Sequence, residues 1–105
     1  MGKRAALIEK LDAETRQAVI DRDEGLCVLC GKVANDVHEI LPKSHWGTKF
    51  LHRCYQLKNR VCLCRECHAN SHTRAKRTEI LRLLQERHHY DYSDERFREY
   101  LVEGA

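Results

Sequence analysis

From Asp12 to Gly25 the chain reads DAETRQAVIDRDEG: an acidic start, a run of helix formers and a closing glycine. This predicts an amphipathic helix over about 12–24. The pattern then changes. Val33, Val37 and Ile40 are β-branched and Asn35-Asp36 lies among them, so 31–42 predicts a hairpin whose second strand stops at Pro42. His38 and Glu39 thereby fall near a strand end. Residues 43–58 show no clean period and predict a loop. The short apolar run Val61 to Cys64 leads into a helix from about Arg65. Thr78 is suited to cap a further helix running toward Arg87, with Ile80, Leu81, Leu83 and Leu84 as its apolar content. A last helix over Ser93 to about Glu103 would bury Phe97, Tyr100 and Leu101. Strands and helices in this order, without repeats, low-complexity runs or linkers, predict a single small α+β domain over 1–105, with its C-terminal helices over about 78–103.

Composition matters at one point, which is how so short a chain is held together. With 105 residues and 42% apolar content the core is thin. Six cysteines would suggest disulfides in a secreted protein, but residues 1–20 carry no apolar signal segment and nothing approaches membrane-span length. The thiols are therefore read as reduced and cytosolic, with no membrane partner, and a metal ion becomes the expected staple. A formal charge of +3, with seven histidines uncounted, permits a nucleic-acid partner without demanding one.

Cys27-x-x-Cys30 and Cys64-x-x-Cys67 supply that staple. Each pair makes a tight turn offering two thiolates, and two such knuckles complete a closed tetrahedral zinc site. The 33 residues between Cys30 and Cys64 exceed ribbon spacing, so a substantial element is inserted between the knuckles. Cys54 and Cys62 have no partner at knuckle spacing and are read as small buried hydrophobes. His68 follows Cys67 directly, and helical neighbours diverge by about 100°, so the two do not converge on one ion. His68 and His72, four apart, share a helical face and are free to hold a second ion with an incomplete shell, or else decorate a solvated surface.

The stretches RDEGLCVLCGK, DVHEILPKSHWG and NRVCLCRECH, followed by His72, resemble the HNH nuclease family, in the subgroup stapled by a four-cysteine zinc. The resemblance runs from about Arg22 to His72 and defines a core of about 22–73. It implies a ββα-metal fold, one divalent ion (magnesium, manganese, nickel or zinc) held against the scissile phosphate, and DNA hydrolysis; with no recognition helix, basic stretch or aromatic stacking platform in the sequence, low sequence specificity is expected. Position by position, it implies that His38, His68 and His72 are ligands of the catalytic ion. Asn59 matches the asparagine that orients the general base and ties down the loop, and Cys27, Cys30, Cys64 and Cys67 match the zinc staple. Glu39 stands where most members carry the histidine that activates water. A carboxylate is a weaker base than imidazole by about two pKa units, so the same site is also compatible with slower catalysis, or with Glu39 serving as an oxygen ligand. His45 is a further imidazole in the loop. Small stand-alone members are common in bacteriophages, which implies the cytoplasm of a bacterial or phage-infected cell.

Lys43, Lys49, Arg53, Lys58, Arg65 and Arg74, with Lys76 and Arg77, surround these positions in sequence and are the expected phosphate contacts. Trp46 and Phe50 are assigned to packing over the core. The competing expectation is a zinc-stapled module that docks on nucleic acid or protein without hydrolysis, the reading that Glu39 favours. A metal-sensing regulator is a third, though no recognition helix stands out.

Overall fold

The structure, a computed structural model, describes residues 2–101. The first helix, α1 (Lys3–Asp23), begins well before the expected Asp12 and stops where Glu24 and Gly25 turn left-handed, at φ 56° and 66°. Gly25 N–H donates back to the Ile20 carbonyl at 3.0 Å, closing the helix end as a left-handed cap does. Only Val19 of α1 is fully buried, so its docking is largely polar. Arg22 donates to the carbonyls of Leu57 at 2.8 Å and Arg60 at 2.7 Å, while Asp23 accepts from the Cys62 amide at 2.9 Å.

The expected hairpin does not form. Strand β1 (Asp36–Glu39) pairs antiparallel with β2 (Arg60–Leu63), in the register Asp36 with Leu63 and Glu39 with Arg60. Val33 makes an isolated bridge to Leu26 instead and is 73% exposed. The physical reason is burial: every residue of β2 is buried, so pairing with it covers more apolar surface than a local hairpin would. The first knuckle joins the same sheet through Val28 N–H to the Cys62 carbonyl, 3.1 Å.

Between the strands, the segment expected as a loop holds the short helix α2 (Lys43–Trp46) and single 3-10 turns at Leu51–Cys54 and Leu57–Asn59. Trp46 is buried as expected, its Nε1 donating to the Leu41 carbonyl at 3.2 Å, and Phe50 packs half-buried beside the core. After β2 come α3 (Arg65–Ala69) and α4 (Arg74–His88). The cap of α4 is Thr73, whose hydroxyl accepts from the Lys76 amide at 3.2 Å, and Thr78 lies inside the helix. The last helix, α5 (Glu95–Leu101), starts two residues after Ser93, and the expected end at Glu103 lies outside the described residues.

Helices α4 and α5 close over the sheet through Ile80, Leu81, Leu84 and Phe97, which meet Ile40, Leu41, Trp46, Val61 and Leu63 in one cluster. Each such side chain stabilises by about 1.5–3 kcal/mol on burial. Cys54 and Cys62 sit in this interior as small apolar groups, and burial pushes their thiols up to about 12 and about 11. The architecture is a small α+β arrangement with one two-stranded sheet among the described residues. No helix among them is long and apolar enough to cross a membrane.

Candidate functional site

The two cysteine knuckles meet. The first is a turn closed by Gly31 N–H to the Cys27 carbonyl at 2.9 Å, with Gly31 at φ 78°. The second is the start of α3, where the Cys64 sulfur accepts from the Cys67 amide at 3.4 Å. The Sγ atoms of Cys27, Cys30, Cys64 and Cys67 all lie within 4.8 Å of one another, and Cys30 and Cys64 are 3.6 Å apart. A tetrahedron with metal–sulfur bonds of about 2.3 Å has edges of about 3.8 Å, so the set fits a single tetrahedral ion. Burial pushes the Cys27 thiol up, but amide donation from Cys64, Cys30 and Leu29 outweighs it and brings it to about 7. The neighbouring Cys64 thiol, then burial, raises Cys67 to about 12. Four thiolates this close repel one another, and a cation at their centre removes that conflict. Among the described residues this is the only such donor cluster.

His68, next to Cys67, turns the other way. Its ring centroid lies 4.8 Å from that of His38 and 5.9 Å from that of His72, and His38 and His72 are 5.7 Å apart. His38 reaches this point from β1 and His68 from α3. His72 corrects the expectation of a shared helix, because α3 ends at Ala69. The chain bends there through Ser71 N–H to the His68 carbonyl, and the His72 ring returns to the same cleft. The three imidazoles gather without converging as tightly as the thiols do.

Two neighbours set the state of these rings. Asp36 accepts from His68 Nδ1 at 3.0 Å; a carboxylate only accepts, so Nδ1 carries a proton and Nε2 is the ring nitrogen left to face a ligand. The His68 hydrogen bond, opposed by desolvation and aided by Arg65, holds the Asp36 carboxyl below its ordinary value. His38 is 5% exposed, with Nε2 at 3.4 Å from the Ser71 hydroxyl. Burial, then the charges of His68, His72 and Arg77, pushes it down to about 3, so the ring is neutral near pH 7. A neutral imidazole at His38 beside the oriented ring of His68 suits a divalent ion.

An open cleft of roughly 420 Å³ is lined by these three histidines with Glu39, Lys43 and Arg77. Glu39 Oε1 lies 3.6 Å from the fully buried Arg60 guanidinium, which also pairs with Asp12 of α1 at 2.9 Å. Asn59 is fully buried and braces the loop: its Oδ1 accepts from the Leu41 amide at 2.9 Å, and its Nδ2 donates to the carbonyls of Leu41 at 3.0 Å and Cys54 at 2.9 Å. Those bonds serve the loop, and none goes to Glu39. His45 bonds the Tyr100 hydroxyl at 3.1 Å and does not line the cleft.

The expected phosphate contacts divide. Lys43 lines the cleft, and Arg65 lines an adjoining hollow with Asp36, His68 and His72. The others are engaged elsewhere. Lys49 lies over Phe50, Arg53 pairs with Asp94 at 3.3 Å, Lys58 donates to the Asp91 carbonyl at 2.8 Å and Arg74 pairs with Glu99 at 3.3 Å. Sequence reasoning missed Asp36, Ser71 and Arg60 as site neighbours. Asp36 had a signal, since residues two apart on a strand share a face with His38. Ser71 and Arg60 had none.

No family model, curated protein or solved structure matches this chain.

Proposed function

We propose that the chain is a metal-dependent DNA endonuclease of the HNH type, hydrolysing phosphodiester bonds with little sequence preference, on a ββα-metal core stapled by zinc. One observation carries this reading: His68 joins His38, His72 and Glu39 in an open cleft, while its chain neighbour Cys67 belongs to the separate thiol cluster. A closed tetrathiolate suits a structural ion; an open imidazole cleft with a carboxylate suits hydrolysis.

His38, His68 and His72 would hold the second ion, which when bound supplies positive charge to the scissile phosphate and the leaving oxygen. Asp36 fixes the His68 tautomer with Nε2 free, and Ser71 steadies His38. Glu39 is the residue to take the proton from the attacking water. Asn59 holds the Leu41 end of β1 against the 54–59 segment, keeping Glu39 at the cleft mouth. Lys43 at the rim draws in the anionic backbone.

The ion pair from Glu39 to Arg60 favours a second reading, in which Glu39 is structural and the chain is a zinc-stapled module that docks on DNA or protein. Supercoiled plasmid distinguishes the two. With magnesium, manganese or nickel the endonuclease yields nicked circles and His68→Ala abolishes them, whereas equal traces from both proteins leave the docking module.

A further inference from the structure

The described residues leave four large apolar side chains exposed, and three of them, Ile20, Leu26 and Val33, meet at one place. Leu26 and Val33 are antiparallel bridge partners. The flanking bonds, from Cys27 N–H to the Lys32 carbonyl at 2.7 Å and from Ala34 N–H to the Gly25 carbonyl at 2.8 Å, make them a non-hydrogen-bonded pair, whose side chains stand close together on one face. Ile20 is joined to them through Gly25, which donates to the Ile20 carbonyl at 3.0 Å. Leu7 stands apart, about 20 Å along α1 from Ile20 at 1.5 Å per residue.

Single exposed apolar side chains are ordinary on a protein surface; a contiguous group marks a contact. Val33 is 73% exposed at a bridge position that threonine would fill equally well. The group is also preformed. Leu26 and Val33 flank the turn of the first knuckle, and Val28 N–H ties that turn to the Cys62 carbonyl at 3.1 Å. A partner therefore meets a surface that has little ordering left to undergo.

The charges at its edge decide what it fits. Asp21 and Glu24 adjoin Ile20 and Leu26, Lys32 adjoins Val33, and Arg87 lines a hollow with Glu24 and Leu26; all four are exposed. Two acids thus balance two cations, on a chain whose formal charge is +3. An anionic polymer, or any partner strongly charged in one sign, would meet as much repulsion there as attraction. A patch with an apolar centre and edges of both signs is instead complementary to its own copy turned about a two-fold axis, with Lys32 of each set against Glu24 of the other. Neither Lys32 nor Glu24 has an ion-pair partner within the chain among the described residues.

We infer that Ile20, Leu26 and Val33 form the centre of a two-fold interface with a second copy of this chain. Three side chains make a small centre, so the dimer fills only as concentration rises. None of them lines the histidine cleft, and the inference holds whether or not the chain hydrolyses DNA.

Sedimentation equilibrium of the purified protein with its staple intact, from about 1 µM to about 1 mM, should show the mass rise from 12.4 kDa toward twice that value. Val33→Asp should weaken association at least about tenfold while zinc content and thermal midpoint stay as in wild type, the side chain being exposed. Lys32→Glu and Glu24→Lys should each weaken it as well. An equimolar mixture of those two variants should recover wild-type association, because the opposite charges then face each other across the two chains. A second arm needs no variant: the methyl signals of Ile20, Leu26 and Val33 should shift with protein concentration in NMR spectra, and those of Leu7 should stay. A wild type that sediments at 12.4 kDa throughout overturns the second copy as occupant and leaves the patch to a different protein. A dimer that survives Val33→Asp, with the three sets of methyl signals unmoved, overturns the assignment by placing the interface elsewhere. A mixture that associates no better than either charge variant alone overturns the two-fold arrangement.

Discussion

Cys67 and His68 are adjacent in the chain and face different clusters: the Cys67 sulfur joins three other thiols, and the His68 ring sits 4.8 Å from His38. Helical geometry enforces the separation, because consecutive side chains on α3 diverge by about 100°. One short helix thus borders both a closed site and an open one.

The closed site should carry one tightly held zinc per chain in the purified protein, measured by elemental analysis. Cys64→Ser or strong chelation should unfold the domain, because the thin core leans on the ion and structural zinc contributes on the order of 10 kcal/mol. The thiols give a second readout. With the ion bound, iodoacetamide should label none of the six cysteines, because the ion holds four thiolates and burial keeps Cys54 and Cys62 protonated; once chelation unfolds the domain, all six should react. Labelling of Cys54 or Cys62 in the loaded protein would contradict the packing described.

Asn59→Ala should cost about 3 kcal/mol in denaturant unfolding. The change leaves the Leu41 amide and the Leu41 and Cys54 carbonyls without their buried partner. A loss under about 1 kcal/mol would mean that the loop is held by something else.

His38 ties stability to pH. Its folded value of about 3 lies below the ordinary 6.5, so the unfolded chain binds the extra proton between those limits. Stability from this group is therefore fully present above about pH 6.5 and is lost as pH falls toward 3. Unfolding midpoints measured across that window should show His38→Gln with a slope shallower by about one proton near pH 5. Parallel slopes for the two proteins would contradict the burial argument.

Glu39→Gln should lower plasmid nicking by about 10²- to 10⁴-fold with little change in KM, as expected for loss of a general base. Glu39→His should keep activity and alter its pH profile, imidazole being the stronger base. Activity that appears only in Glu39→His would identify the natural chain as a silenced nuclease and favour docking.

Local features of this fold were legible in the sequence and, the metal staple apart, non-local ones were not. The Cys-x-x-Cys spacings specify two tight turns with two thiolates each, and that the two turns meet, though 33 residues apart, followed from the need of a thin, reduced core for a metal staple. Burial of Cys54, Cys62 and Trp46 followed from their chemistry. The partner of β1 did not, because β-branched residues around Asn35-Asp36 suggest a hairpin, whereas the pairing strand lies some twenty residues on and wins by burial. Thr73 and Thr78 are both plausible caps by composition; what distinguishes them is that the chain turns at Ser71 to return His72 to the cleft. The same turn explains why His72 lies off the expected helix while its ring still lines the cleft with His38 and His68. Asp36, Ser71 and Arg60 act through neighbours more than twenty residues away, apart from Ser71 with His68, and no local spacing marks such contacts.

Under the proposed function two metal sites lie side by side, divided between Cys67 and His68. Its most direct test is a manganese titration of zinc-loaded protein, followed by paramagnetic broadening of the histidine ring signals, in wild type and His68→Ala. We predict that wild type keeps one zinc and gains one weaker manganese site that broadens His38, His68 and His72, and that His68→Ala keeps the zinc and loses the manganese. Loss of zinc in His68→Ala, or no manganese-dependent broadening at His38 in wild type, would contradict the account.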